Sequence, residues 1–178
     1  MPTPGDERVN ADAATLRLFS GLLASPGGES MAVLRELADE HAWLAGAVAE
    51  LEDVPLDEWQ AEHTRLFVSG HPKTACPPFE SATVSGSLWG TAGDKLADLY
   101  RRAGLEATDL PPDYLGTELE CAAYLLEQDC SRSRDLLREL WQEHLASWVP
   151  RFHPLLQAES RLLLYRQLAQ QLAGVFDD

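Results

Sequence analysis

The sequence contains no isoleucine and only 8 valines, whereas it contains 30 leucines and 23 alanines among its 178 residues. Leucine and alanine favour helices, while β-branched residues favour strands. No segment alternates apolar and polar residues for long enough to indicate a strand, and no internal repeat or low-complexity tract occurs. These shortages exclude a β-rich fold and predict an all-α protein.

Cysteine is scarce as well. Cys76, Cys121 and Cys130 are odd in number and form no C-x-x-C pair, which excludes a disulfide framework and indicates a reducing compartment. The 5 histidines show no H-E-x-x-H or other metal-ligand spacing, and no glycine-rich loop of the phosphate-binding type occurs. The sequence therefore predicts neither a bound metal nor a cofactor.

Long apolar runs are absent too. No run approaches the roughly 18 residues of a membrane span. Residues 1–10 hold two prolines, a glycine and three charges, in place of the apolar stretch of a secretory signal. We predict a flexible tail over residues 1–10 and a single domain over residues 11–178. We also expect a cytoplasmic location without stable membrane insertion.

Basic residues are few. The chain has 14 lysines and arginines and 29 acidic residues, which gives a net charge of −15. The excess is uneven: residues 1–62 carry 13 acids and 3 bases, residues 63–110 carry 5 of each, and residues 111–178 carry 11 and 6. Such a field repels nucleic acid and anionic lipid and attracts basic segments. The alternative is an acidic surface that serves solubility alone.

Apolar residues recur at steps of three and four through most of the chain, most regularly from Leu34 to Leu51. Asp12 is a plausible N-cap, Gly104 a plausible C-terminal stop, and Pro150 a break or kink. These signals predict a compact single-domain bundle of six to eight helices. The expected helices cover residues 12–25, 29–52, 55–69, 88–103, 114–129, 131–149 and 155–176.

Two proline-framed segments interrupt this helical pattern. They are Cys76-Pro77-Pro78-Phe79-Glu80-Ser81, within an irregular stretch over residues 70–87, and Pro111-Pro112-Asp113-Tyr114-Leu115-Gly116. Tandem prolines cannot lie inside a helix, and each segment places an aromatic ring beside a carboxylate. We expect both segments to line one groove with an acidic rim, suited to a basic, apolar peptide. The alternative is structural, with Asp113 capping the helix that begins at Tyr114.

A catalytic alternative depends on Cys76 and His71, which lie five residues apart in the irregular stretch. A cysteine nucleophile needs a nearby base that lowers its pKa, and otherwise Cys76 is a small apolar residue beside prolines. Glu118 and Glu120 are two residues apart and point to different sides of a helix, so they are not a paired acid and base. The sequence therefore favours a binding protein over an enzyme.

Three motifs resemble those of the TorD/DmsD/NarJ family of cytosolic redox-enzyme maturation chaperones. The first is His63-Thr64-Arg65-Leu66-Phe67 followed by Pro77-Pro78-Phe79-Glu80-Ser81, similar to "Y-x-x-L-F … P-P-Y-E-S". The second is Pro112-Asp113-Tyr114-Leu115-Gly116-Thr117-Glu118-Leu119, similar to "P-D-H-[LI]-x-x-E-L". The third is His144-Leu145, then Trp148-Val149-Pro150-Arg151-Phe152, then Leu164-Tyr165-Arg166-Gln167-Leu168-Ala169, similar to "H-L … W-x-P-x-F … F-Y-x-x-L-A". Together they span about residues 60–170.

The resemblance implies a TorD-like helical fold and a chaperone that is not an enzyme. Its partner would be an apo-molybdoenzyme subunit, bound at an N-terminal twin-arginine signal until its cofactor is inserted and before export. An assembly factor for a redox subunit without that signal, as in the nitrate-reductase branch, is the alternative. Both monomers and domain-swapped dimers occur among such proteins. The peptide-contacting residues carried over are Leu66, Phe67, Pro78, Phe79, Glu80, Pro112, Asp113 and Tyr114.

One position departs from the family pattern. Tyr114 stands where the family usually has histidine. Tyrosine keeps a ring and a hydrogen-bonding tip, but it cannot become cationic near neutral pH. A role that needs a titrating imidazole is therefore not expected here.

Overall fold

The structure, a computed structural model, describes residues 9–87, 90–107 and 109–177 and is helical through most of them. Two π-helical segments, π1 (Thr64–Val68) and π2 (Leu140–Leu145), lie within longer helical runs, and a 3₁₀ turn spans Ala42–Leu44. The α-helices are α1 (Ala13–Leu22), α2 (Ser30–Glu40), α3 (Ala45–Leu51), α4 (Leu56–His63), α5 (Glu80–Ser85), α6 (Thr91–Arg102), α7 (Leu115–Glu127), α8 (Ser131–Glu139), α9 (Ala146–Glu159) and α10 (Leu163–Phe176).

The packing is built on two helix pairs, α1 with α7 and α9 with α10. Burial of the largest side chains fixes these pairs, because each removes a large apolar area from water at about 25 cal/mol per Å². The fully buried aromatic side chains are Phe19, Tyr100, Trp148, Phe152 and Tyr165. The all-helical fold predicted from leucine and alanine is confirmed, and within the described residues no helix is long and apolar enough to cross a membrane.

Local signals place several helix ends correctly. The Asp12 carboxylate accepts a hydrogen bond from the Thr15 amide at 2.8 Å, as expected of an N-cap. Gly104 adopts a φ of 78° two residues after the end of α6, where a side chain would be strained. Residues 1–8, which hold most of the predicted tail, and residues 88–89, the predicted start of the fourth helix, lie outside the described residues.

Other predicted boundaries are wrong. The helix expected over 29–52 is divided at His41, whose φ of −122° and ψ of 86° cannot continue a helix. The stretch 70–87, expected to be irregular, contains the short helix α5. Pro150 does not end a helix but lies inside α9, which continues directly from the π2 segment.

The last helix begins at Leu163 and not near residue 155. Its first turn is capped from a distance, since the Leu163 amide donates to Glu50 Oε2 at 2.6 Å. The neighbouring Arg161 amide donates to Glu62 Oε1 at 2.7 Å. Carboxylates supplied by other helices therefore fix where α10 starts.

Candidate functional site

The two proline-framed segments meet in space. Phe79 and Tyr114 form an antiparallel bridge, the only one in the described part of the chain. Two backbone hydrogen bonds flank it, Glu80 N to Asp113 O at 3.0 Å and Leu115 N to Pro78 O at 2.9 Å. We call residues 78–81 with residues 113–115 the proline joint. Residues more than 30 positions apart are thus held by backbone pairing, and the expected convergence is observed.

Asp113 is central to the proline joint. Its carboxylate accepts a hydrogen bond from the Ser81 amide at 3.1 Å, in the first turn of α5. The predicted cap of its own helix is wrong, because α7 begins after Tyr114 with no side-chain cap. Asp113 therefore caps the helix of the other segment, which ties the two breaks together.

Glu80 faces inward. Its Oε2 lies 2.7 Å from His144 Nδ1 in π2, and both side chains are buried. Only 6% of Glu80 and 4% of Asp113 is exposed. The expectation that these two acids form an exposed rim is therefore wrong, since both side chains are buried and each has an oxygen engaged inside the protein.

A third acid lies beneath the joint. Glu118 is fully buried, and neither of its oxygens has a hydrogen-bond partner within the described chain, nor has the indole nitrogen of its neighbour Trp148. Burial, and then the nearby Glu80 charge, raise the pKa of Glu118 well above its usual value. The protonated form of Glu118 is thus favoured more strongly than that of an exposed glutamate.

The rings of the joint reach the surface in part. Phe79 and Tyr114 are half-buried, with ring centroids 5.7 Å apart. A Cβ at Gly116 would lie 2.4 Å from the Tyr114 ring, so only glycine allows the ring this position. The Tyr114 hydroxyl donates to the Leu23 carbonyl at 3.3 Å, at the end of α1. Tyr114 therefore links α1 to the joint.

Leu66 and Phe67 lie in π1 and face the core. Both are buried, and the Leu66 carbonyl accepts a 2.7 Å hydrogen bond from the Cys76 amide. Phe67 packs edge-on against His63 and Tyr165, at 5.2 and 5.3 Å between ring centroids. Leu66 and Phe67 therefore anchor in the core the segment that leads into the proline joint. Of the eight predicted site residues, only Phe79, Pro112 and Tyr114 are more than slightly exposed.

Sequence reasoning missed the acids that are exposed near Tyr114. A depression of about 270 Å³ opens beside this ring and continues into a second one of about 300 Å³. Both are lined by Glu106 and Glu120, and Asp109 borders the first. Asp109 lies two residues before the second proline-framed segment and Glu120 directly follows the second family motif, but neither motif includes them. The shared depression, which we call the acidic depression, places negative charge where Glu80 and Asp113 were expected to supply it.

The catalytic alternative finds no geometric support. The Cys76 side chain is fully buried, and burial raises the pKa of its thiol to about 12. His71 is exposed and makes no hydrogen bond or ion pair within the described chain. An activated nucleophile needs a lowered pKa and a base in contact, and Cys76 has neither.

The chain is similar to known proteins in both sequence and fold. Residues 23–153 match the family model described as the nitrate reductase delta subunit. The chain belongs to this delta-subunit family. It is 30% identical over 109 residues to the chaperone protein YcdY of Escherichia coli, which covers 61% of this chain and 56% of YcdY. The chain thus matches little more than half the length of that relative.

A solved structure extends the likeness over nearly the whole chain. It comes from Archaeoglobus fulgidus and is described as a candidate redox enzyme maturation protein. The two chains are 25% identical with a TM-score of 0.71, over 97% of this chain and 99% of the other. These findings confirm the family resemblance inferred from the three motifs.

The Asp113 carboxylate should stabilise the folded state of this delta-subunit family member. We expect Asp113→Ala to lower the free energy of unfolding by about 1–2 kcal/mol, because a helix cap and a buried acceptor are lost together. Urea denaturation measures this, with exposed Asp109→Ala as the control. Asp113→Asn should recover part of the loss, and an Asp113→Ala variant as stable as the wild type would contradict the capping role.

Glu118 should make stability depend on pH. Below about pH 4 the carboxyl is protonated in both the folded and unfolded states. As pH rises further, the unfolded chain ionises while the folded chain keeps its proton, so the folded state loses stability. We therefore expect Glu118→Gln to gain stability relative to the wild type between pH 5 and pH 8, measured by urea denaturation. A difference that is constant across this range would show that Glu118 ionises normally.

The three thiols should differ in reactivity. Cys130 is exposed, and hydrogen bonds with Ser133 lower its pKa, whereas burial raises the pKa of Cys76 and Cys121 to about 12. We expect a thiol reagent at pH 7.5 to modify Cys130 first, and the other two only in urea. Mass spectrometry identifies the site, and Cys130→Ser removes the fast reaction. Fast native modification of Cys76 would instead support the catalytic alternative.

Proposed function

We propose that this chain is a non-enzymatic chaperone that binds the basic, apolar N-terminal segment of an apo redox-enzyme subunit in the cytoplasm. Binding would hold the subunit until its molybdopterin cofactor is inserted and before export. Family membership supports the maturation role. The names of YcdY, a chaperone, and of the Archaeoglobus fulgidus protein, a candidate maturation protein, agree with it.

The observation that carries the peptide specificity is an aromatic ring beside exposed carboxylates. Tyr114 borders the acidic depression, where Glu106 and Asp109 are exposed and, among the described residues, have no cationic partner. Arginine forks onto carboxylates and stacks on aromatic faces, so this surface suits an arginine pair. Glu120 is engaged by Arg17 at 3.5 Å and is a weaker candidate.

The eight residues carried over from the family divide into two roles in this proposal. Phe79, Pro112 and Tyr114 reach the surface and would touch the peptide. The buried residues, Leu66, Phe67, Pro78, Glu80 and Asp113, would act by holding those three in place. Substitution of a buried member should therefore reduce binding only together with stability.

Charge and apolar area would contribute differently to binding. The net charge of −15 attracts a cationic segment from a distance and speeds its encounter, and salt screens this attraction. Apolar burial, at about 25 cal/mol per Å², would supply most of the affinity. The mechanism is reversible capture, and it needs no metal, nucleotide or bond-making step.

A second candidate function is favoured by the description of the matching family, the nitrate reductase delta subunit. An assembly factor of that kind would bind a redox subunit that carries no twin-arginine signal. Pull-down of one client, with and without its N-terminal segment, separates the two functions. If the client is no longer captured once its N-terminal segment is removed, signal binding is supported. If the client is still captured without that segment, the assembly factor is supported.

The peptide proposal predicts a specific loss on neutralising the acidic depression. The probe is a synthetic peptide with two adjacent arginines followed by a leucine- and alanine-rich stretch. We expect Glu106→Gln with Asp109→Asn to weaken binding about threefold to tenfold at low salt, and less at high salt, measured by titration calorimetry.

The matched control is Asp53→Asn with Glu143→Gln. Both residues are exposed acids on segments that do not line the depression, so the net charge changes equally. Equal weakening in both pairs would mean that only the overall charge matters. Unchanged affinity in the first pair would refute the depression as the arginine site.

A further inference from the structure

The acidic depression is already lined by an arginine of this chain. Arg17, on α1, reaches across to α7, where its Nη2 donates to Glu127 Oε2 at 2.8 Å and its Nη1 donates to Oε1 of the same carboxylate. Its Nε lies 3.5 Å from Glu120 Oε2. Arg17 is the one cationic side chain among the described residues that line the depression. This is the forked arginine–carboxylate contact that the proposed function expects a client to make.

The carboxylates that hold Arg17 belong to one face of α7. Glu120, Tyr124 and Glu127 follow one another at steps of four and three residues, and residues with that spacing share one side of a helix. Glu120 and the half-buried Tyr124 line the same 300 Å³ part of the depression as Arg17. Carboxylates and a tyrosine therefore surround Arg17, as carboxylates and Tyr114 surround the 270 Å³ part.

The contact of Arg17 is not what holds α1 on α7. These two helices form one of the principal helix pairs of the fold, and the Ser20 hydroxyl of α1 also donates to the Gly116 carbonyl of α7 at 3.1 Å. By contrast, the side chains of Arg17, Glu120 and Glu127 remain 41%, 50% and 47% exposed. Ion pairs with this exposure contribute little to stability.

The pair of Arg65 with Glu62 shows how an ion pair that supports the fold differs. Glu62 is only 6% exposed and also accepts from the Arg161 amide at 2.7 Å. Arg65 also donates to the Glu159 carbonyl at 2.6 Å. Within the described chain, neither Arg17 nor its two carboxylates bond to a backbone group through their side chains. Another arginine can therefore replace Arg17 without leaving a helix end unsatisfied.

We propose that Arg17 is an internal occupant of the acidic depression and limits its affinity for a segment with two arginines. Arg17 engages Glu120 and leaves Glu106 and Asp109 as the open carboxylates. Glu106 and Glu120 line both parts of the depression, so a second client arginine meets Glu106 together with an acid that is already paired. This inference depends on the proposed function, because it names a residue that tunes the same site.

Replacement of one arginine by another predicts how much the second client arginine contributes. In the wild type that arginine gains Glu120 only as Arg17 loses it, so the two contacts nearly cancel. We expect Arg17→Gln to bind the two-arginine peptide about threefold to tenfold more tightly than the wild type at low salt, measured by titration calorimetry. The gain should fall below about twofold for the same peptide with its second arginine replaced by glutamine.

Arg35→Gln is the matched control. Arg35 also forms an exposed ion pair, with Glu52 at 3.3 Å, and it lines neither part of the depression, so the net charge changes equally. It should leave the affinity unchanged within about twofold, because salt screens distant charges. Adding Glu120→Gln to Arg17→Gln should reverse the gain, since the released carboxylate is then removed. Arg17→Lys keeps the charge but cannot fork onto a carboxylate, and it should give part of the gain.

The outcomes separate this inference from the proposed function. If the wild type binds the peptide and Arg17→Gln binds it no more tightly, the inference is refuted while the proposed function stands. An equal gain in Arg35→Gln, or with the one-arginine peptide, also refutes it, because net charge alone then explains the change. If neither the wild type nor Arg17→Gln binds the peptide, both are refuted. Should Arg17→Gln fail to fold, Arg17→Lys decides, and wild-type affinity in that variant overturns the inference.

Discussion

The pairing of the two proline-framed segments through Asp113 is the constraint on which the rest of the candidate site depends. Its carbonyl and carboxylate accept from consecutive amides, Glu80 and Ser81, and so fix the start of α5. That start directs Glu80 toward His144 and leaves the Phe79 ring against Tyr114. Prolines on both sides remove competing donors and hold the backbone extended. The joint is rigid because each partner is already restricted before they meet.

This arrangement divides the acidic residues of the chain into two populations. Asp113, Glu50 and Glu62 are taken up by backbone amides of other helices and act as long-range caps. In each of these groups a carboxylate oxygen already accepts an internal hydrogen bond. The acids that can attract a basic peptide are the exposed ones, such as Glu106 and Asp109. Net charge therefore predicts the sign of a partner but not the place where it binds.

The difference between local signals and long-range contacts explains what could be predicted from the sequence. Leucine periodicity and the Asp12 cap are local signals, and they gave the helical class and the first helix end correctly. His41, which divides a predicted helix, and Leu163, which starts the last helix, depend on backbone angles and on a Glu50 contact across 113 residues. No local pattern contains those contacts. For the same reason, Asp113 was correctly read as a cap but assigned to the wrong helix.

Which helix faces are covered could not be predicted for a further reason. An amphipathic pattern shows that a helix has an apolar face, but not whether a neighbour covers it. α1 carries leucines on enough of its circumference to pack on α7 and still face α2. Its last turn also receives the Tyr114 hydroxyl from the proline joint. The proline joint is therefore in direct contact with the end of α1 through this hydrogen bond.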